Sequence, residues 1–133
     1  IARVMQYYVS EFKTERLFHI GLESLERLEA ESVPRLYALD PHKLMRTLED
    51  LSMLEYAKII VHASLARKAS SMPLNFQRID FPAVDPPEWN KFLTIRLENG
   101  KVKTGERPQE FWGDMKQQYE AHNKDYTGVY KAK

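Results

Sequence analysis

The chain contains no cysteine. That excludes a disulfide framework, a thiolate metal site and a cysteine nucleophile, and it fits a reducing compartment, so a cytoplasmic location is expected. Glycine is scarce, five in 133 residues, and none opens the glycine-rich turn after a strand that cradles a phosphate. The G-x-S-x-G elbow of serine hydrolases is missing too. No apolar run approaches the ~18 residues of a membrane span. Charge of one sign is also lacking, since the formal net charge is +1; so balanced a total points to neither nucleic acid nor a membrane surface as partner. The chain opens Ile1-Ala2-Arg3-Val4-Met5, without a signal-peptide layout and already inside a helical pattern, as expected of a piece of a longer protein.

What is present reads as a globular domain. Apolar residues make up 43% and charged residues 29%, close to the averages for folded chains. A chain of this length suits one domain that buries about two-thirds of its unfolded surface.

Apolar spacing predicts three helices. Val4, Met5, Tyr8, Val9 and Phe12 recur at helical intervals over Ala2 to Lys13. Thr14 can cap a second helix to about residue 32, with Glu15 at its positive end and Phe18, Leu22, Leu25 and Leu28 as its stripe. Val33-Pro34 should end it, because the residue before proline avoids helical angles. Asp40-Pro41 is a start signal, Asp capping and Pro suiting the first turn. The third helix is expected over 40–70, with Leu44, Leu48, Leu51, Leu54, Ala57, Val61 and Leu65 at gaps of three and four as one stripe.

The character changes after Ser70. Met72-Pro73, Phe81-Pro82 and Asp85-Pro86-Pro87 mark an extended arm. Leu93, Ile95 and Leu97 alternate with polar residues before Asn99-Gly100, which predicts a β-hairpin over about 92–104. Pro108 is read as opening a short helix to about residue 119, and the tail from Asn123 is polar.

Candidate chemistry is thin. His19, His42, His62 and His122 include no pair four residues apart, so a metal site would need distant positions brought together. Glu11 with Glu15, or Glu49 with Glu55, read as solvated helix faces, since the Glu-x-x-His motif of di-iron bundles does not occur. Arg67, Lys68, Arg78 and Lys91 lie among Phe76, Phe81, Trp89 and Phe92. Such interleaving suits single-stranded nucleic acid, but Asp80, Asp85 and Glu88 offset the field. The segment reads instead as a packing and salt-bridge arm pinned to the helices.

The order Ala66-Arg67-Lys68-Ala69-Ser70, Phe76-Gln77-Arg78-Ile79-Asp80-Phe81-Pro82, Asp85 and Trp89 resembles the C-terminal helical domain of the succinate dehydrogenase and fumarate reductase flavoproteins. In that family an A-R-K-E-S-like helix end is followed by R-x-D-Y/F-P and then D-x-x-x-W. His42-Lys43-Leu44-Met45-Arg46 with Glu49, and the spacing through Pro73, are similar to the adenylylsulfate reductase alpha-subunit branch. Met5-Gln6 and Gly21-Leu22 also resemble the family's first helices, so the likeness spans about residues 1 to 92. The family's S-R-G-x-H run is replaced here by Ser70-Ser71-Met72-Pro73-Leu74-Asn75, and Ser71-Met72 stand where the adenylylsulfate branch has Arg-Trp.

The resemblance implies a parent protein that binds FAD in another domain and passes electrons to an iron–sulfur subunit. The family's flavin-linking and substrate residues lie upstream, so no catalytic, cofactor-binding or metal-ligating residue carries over. Arg67, Arg78, Asp80 and Trp89 are the expected interface residues, toward the FAD-binding domain of the same chain or the iron–sulfur subunit. The fold expected is mostly α: a spectrin-repeat-like three-helix bundle over 1–72, and an extended arm over 73–133 that carries the hairpin and short helix and packs on the bundle as one domain. The competing reading is an independent helical interaction module.

Overall fold

Thr14 and Asp40 set the frame of the molecule. In the computed structural model, which describes residues 1–109 together with Gln117 and Ala121, the Thr14 hydroxyl accepts from the Leu17 amide at 3.2 Å and opens α2, Glu15–Ser32. The Asp40 carboxylate accepts from the Lys43 amide at 2.8 Å and opens α3, Pro41–Ala66, with Pro41 in the first turn. Each side chain satisfies an amide that the first helical turn leaves unpaired. A shorter helix, α1, spans Ala2–Tyr8. Val33–Arg35 forms a 3-10 turn where Pro34 stops α2. A two-stranded antiparallel sheet follows, β1 Lys91–Glu98 and β2 Lys101–Pro108.

The core is the seam between α2 and α3. Phe18 and Leu25 of α2 are fully buried, and Leu54, Ala57 and Val61 of α3 meet them. Ile1, Val4, Met5 and Val9 close one side. Burying each large side chain of this kind contributes roughly 1.5–3 kcal/mol. The helices run antiparallel: Glu29 holds Lys58 at 2.8 Å, while Phe18, near the start of α2, lies against Arg78, which bonds Ser64 near the end of α3. Gly21 lets α1 approach, since a Cβ there would stand 3.0 Å from the Tyr8 Cβ.

The mostly α architecture with a C-terminal hairpin is the one the sequence leads one to expect, but several bounds differ. The first helix stops at Tyr8 instead of Lys13, because the Lys13 backbone is taken up by the arm: the Lys13 amide donates to Gln77 and the Ile79 amide donates to Lys13. The third helix stops at Ala66, short of Ser70, because Ser70 pairs with Val84. The hairpin is longer than 92–104. Its turn, Asn99-Gly100, takes positive φ at both residues, 52° and 74°, which matches the twist of the strands. Pro108 ends β2 opposite Lys91 rather than opening a helix; a strand end is where the missing N–H of proline is tolerated. Apart from Gln117, which is helical and exposed, the short helix expected to residue 119 lies outside the described residues, as do His122 and the tail.

The single apolar stripe expected on α3 is two stripes. Leu54, Ala57 and Val61 are buried, whereas Leu44 and Leu48 are half exposed. The gaps explain this. Steps of three from Leu48 to Leu51, Leu54 and Ala57 each turn the stripe back by about 60° at 3.6 residues per turn, roughly 180° in total.

Candidate functional site

Arg78 is the centre of the arm. An arginine is rarely fully buried unless paired, and here the side chain is 0% exposed. Its Nε donates to Asp80 Oδ1 at 2.6 Å and its Nη2 donates to Asp80 Oδ2 at 2.7 Å. The planar guanidinium matches a carboxylate in this two-pronged way. Nη1 donates to the carbonyls of Ser64 at 2.7 Å and Arg67 at 3.0 Å. Those carbonyls belong to the last turn of α3, whose acceptors have no helical partner and favour a cation. The faces of the guanidinium lie over Phe18 at 5.1 Å and Phe81 at 4.9 Å.

Asp80 carries the link onward. Its Oδ2 accepts from the Glu15 amide at 2.7 Å, at the first turn of α2. One ion pair therefore joins the start of α2 to the end of α3. The Arg78 side chain, followed by the Glu15 amide, holds the Asp80 carboxyl down at about 2.

Backbone stitches complete the clamp. The Ser70 hydroxyl accepts from the Arg78 amide at 2.9 Å and donates to the Phe81 carbonyl at 3.0 Å. The Ser70 amide donates to Ala83 and the Asp85 amide donates to Ser70. Ser71 and Phe76 exchange backbone hydrogen bonds of 2.7 and 3.0 Å. Asp85 accepts from the Met72 amide at 3.1 Å. Bonding from Ser71, then from Met72, holds its carboxyl below the ordinary range.

Beyond the clamp lies a row of cations and rings. Arg67 sits 5.8 Å from the Trp89 ring and 3.8 Å from Asp85. Lys91 Nζ sits 4.5 Å from the centre of the Trp89 ring and pairs with Glu106 at 2.8 Å. Lys68 lies over Phe81 and Lys13 over Phe76.

The structure thus brings together Arg67, Arg78, Asp80 and Trp89, all named from the sequence. Arg78 points inward, Trp89 is half buried and Asp80 keeps partial exposure. Sequence reasoning missed Lys13, Ser64 and Ser70 as clamp partners. A signal for Ser64 was available: a polar residue three positions after Val61, on the buried face of α3.

The other candidates stay apart. His19 lies 3.9 Å from Glu15, on a surface face. Burial lowers His62, while nearby Glu26 works against that shift. Glu49 pairs with Arg46, and Glu55 with Lys58. Burial alone would lower Lys58, but its hydrogen bonds to Glu29 and Glu55 raise it overall. Among the described residues no group of three or more His, Asp or Glu is placed to hold a metal ion, and no helix is long and apolar enough to cross a membrane.

The described residues form no cradle for a flavin dinucleotide. The one described sheet is an antiparallel hairpin. Gly21 is spent on a helix contact, Gly100 on the turn, and Gly105 lies where a Cβ would meet Thr94 Oγ1 at 2.9 Å. Among the described residues no strand–glycine–helix junction is placed to receive a pyrophosphate.

Solved structures share this arrangement. Adenylylsulfate reductase from the hyperthermophile Archaeoglobus fulgidus superposes with a TM-score of 0.74 and 26% identity, over 80% of this chain and 17% of that one. E. coli quinol fumarate reductase FrdA gives 0.71 and 20% identity over 84% and 20% of the two chains. Mycobacterium smegmatis Sdh1 gives 0.71 and 19% identity over 81% and 19%, and these two show the fold alone. The chain thus spans about a fifth or less of the length of these structures. No curated protein sequence matches it. The family model described as the fumarate reductase flavoprotein C-terminal region matches residues 1–123, which takes in α1 to α3, the Arg78 clamp and the hairpin, and by that match the chain belongs to this family.

Proposed function

We propose that this chain is the C-terminal helical domain of an FAD-dependent oxidoreductase subunit of the fumarate reductase, succinate dehydrogenase or adenylylsulfate reductase type, and that it serves docking and stability while the redox chemistry takes place elsewhere in the parent. The observation that carries this reading is the Arg78 clamp. It spends the guanidinium of Arg78 on the domain's own backbone and on Asp80, so it builds a rigid arm from polar groups that face one another. Family membership supports FAD in the parent. The arm around Arg78 to Trp89 then lies on the FAD-binding domain or on the iron–sulfur subunit, with Met72, Ile79 and Val84 turned outward.

The test uses the whole parent protein. Arg78→Ala and Trp89→Ala variants are purified, flavin absorbance is read, and retention of the iron–sulfur subunit is measured by pull-down. Assembly should fall several-fold more than flavin content. Equal assembly in variant and wild type would count against docking, and a folded parent without flavin absorbance would sink the flavoprotein reading.

A further inference from the structure

Among the described residues nothing covers the first half of α3. Of the ten residues Pro41 to Asp50 nine are exposed and only Thr47 is half buried, yet the segment is rich in large apolar side chains. Leu44, Met45, Leu48, Met53 and Tyr56 are between 48% and 66% exposed and line one shallow groove. At 100° per residue their stripe lies roughly 165° around the helix from the Leu54, Ala57 and Val61 stripe that faces α2. A helix apolar on two opposite faces is a helix meant to be buried on both.

The same outer stripe continues along α3 as Ile59, Ile60 and Ala63, and there the hairpin runs alongside it while Ile59 and Ile60 stay 45% and 48% exposed. Phe92 and Leu93 share a cleft with Ile60 and Ala63, and Ile95, Leu97 and Val102 share one with Ile59. The hairpin turn reaches only to the level of Glu55 and Ile59, so the half from Leu44 to Tyr56 lies beyond it.

The chemistry of the rim identifies the kind of partner. Arg46 pairs with Glu49 at 2.9 Å, and Lys43 lies 4.0 Å from Asp40. The flanking charges neutralise one another, so the groove offers a partner aliphatic, thioether and phenol surface with little to steer a transient encounter. That composition belongs to permanent interfaces, which resemble a divided core. Given the reading above, on which this inference rests, the solved structures with this fold carry about four-fifths of their length or more outside it, so a permanent neighbour is at hand. We propose that the outer face of α3 from Leu44 to Tyr56 is the seat of the flavin-binding part of the same polypeptide, in a dry interdomain contact separate from the Arg78 arm.

The absence of cysteine in this chain makes a direct test available. Leu48→Cys and, in a second protein, Tyr56→Cys are placed in the full-length parent. Maleimide labelling of the peptide that carries the new thiol is timed natively and in urea. A seated face should label roughly tenfold or more slower in the native parent, because exposure then requires a local opening. Native labelling within a few-fold of the urea rate at both sites overturns the seat; if flavin absorbance is retained, the broader reading stands. Protection in a parent that carries no flavin overturns both. Protection lost on dilution to a monomer overturns the seat in favour of a second copy. Protection lost on deleting residues 110–133 overturns it in favour of the chain's own C-terminal segment.

Discussion

Arg78 and Asp80, two residues apart in the chain, face each other through hydrogen bonds of 2.6 and 2.7 Å and fasten two antiparallel helices at one end of the bundle. Arg78 holds the Ser64 carbonyl at the end of α3, and Asp80 holds the Glu15 amide at the start of α2. Removing the cation leaves two carbonyls unpaired and the partly exposed carboxylate with the Glu15 amide alone. Arg78→Ala should therefore cost about 3 kcal/mol, the low end of the range for breaking a buried pair, because Asp80 keeps the Glu15 amide and contact with water. Arg78→Lys should recover only part of it, because an ammonium cannot satisfy the carboxylate and both carbonyls in one plane. Urea unfolding of the two variants and the wild type measures both values.

The Asp80 carboxyl sits at about 2 in the folded protein, below its ordinary 3.8. A group lowered by folding stabilises the native state above its unfolded value, and that contribution fades as pH falls through the folded one. The stability gap between wild type and Asp80→Asn should hold constant from neutral pH to about 4, then narrow as pH falls from about 3.8 to about 2. Denaturation curves at stepped pH read the gap directly. A gap independent of pH would show that the carboxylate charge plays no part in the clamp.

The two stripes of α3 should respond differently. In this chain, Leu54→Ala empties part of the core beside Leu25 and Val61 and should cost about 2–5 kcal/mol. Leu44→Ala removes a half-exposed side chain and should stay within about 0.5 kcal/mol. Equal effects would mean that the outer stripe already has a cover within the chain.

Gly100 in the hairpin turn has φ of 74°. A Cβ there meets no atom within 4 Å, so the cost of Gly100→Ala is backbone strain alone. About 1 kcal/mol is expected, read as a lower melting temperature. Gly21→Leu fails for the other reason: the side chain must enter the space held by Tyr8, and about 1–3 kcal/mol of overpacking should detach α1. Hydrogen exchange of the α1 amides would show that detachment.

How much of this was legible in the sequence depends on whether a signal was local. The Thr14 and Asp40-Pro41 caps and the Asn99-Gly100 turn act within a few residues, and each stands where its chemistry places it. The Arg78-to-Trp89 segment was legible as a motif but not as a geometry: nothing near Arg78 says that it turns inward to the carbonyls of Ser64 and Arg67. Lys13 and Ser70 continue helical patterns on paper and leave them because Arg78, 65 residues on, and Val84, 14 residues on, pair with their backbone. The double stripe of α3 was written in its gaps; counting threes and fours without adding their angles hides the half turn between Leu48 and Ala57.

The bond from the Glu15 amide to Asp80 spans 65 residues, and this has a consequence in time. The helices can form as soon as their own segments exist, since their caps and turns are local. The clamp must wait for a long loop to close, the slow kind of step for a chain. During synthesis α2 and α3 leave the ribosome before the arm that ties them together. Until Asp80 emerges they have a seam but no fastening, with Phe18 still lacking the guanidinium that lies on it. A nascent chain halted before the arm would thus present an open pair of helices to chaperones, and release of the next fifteen or so residues would close it.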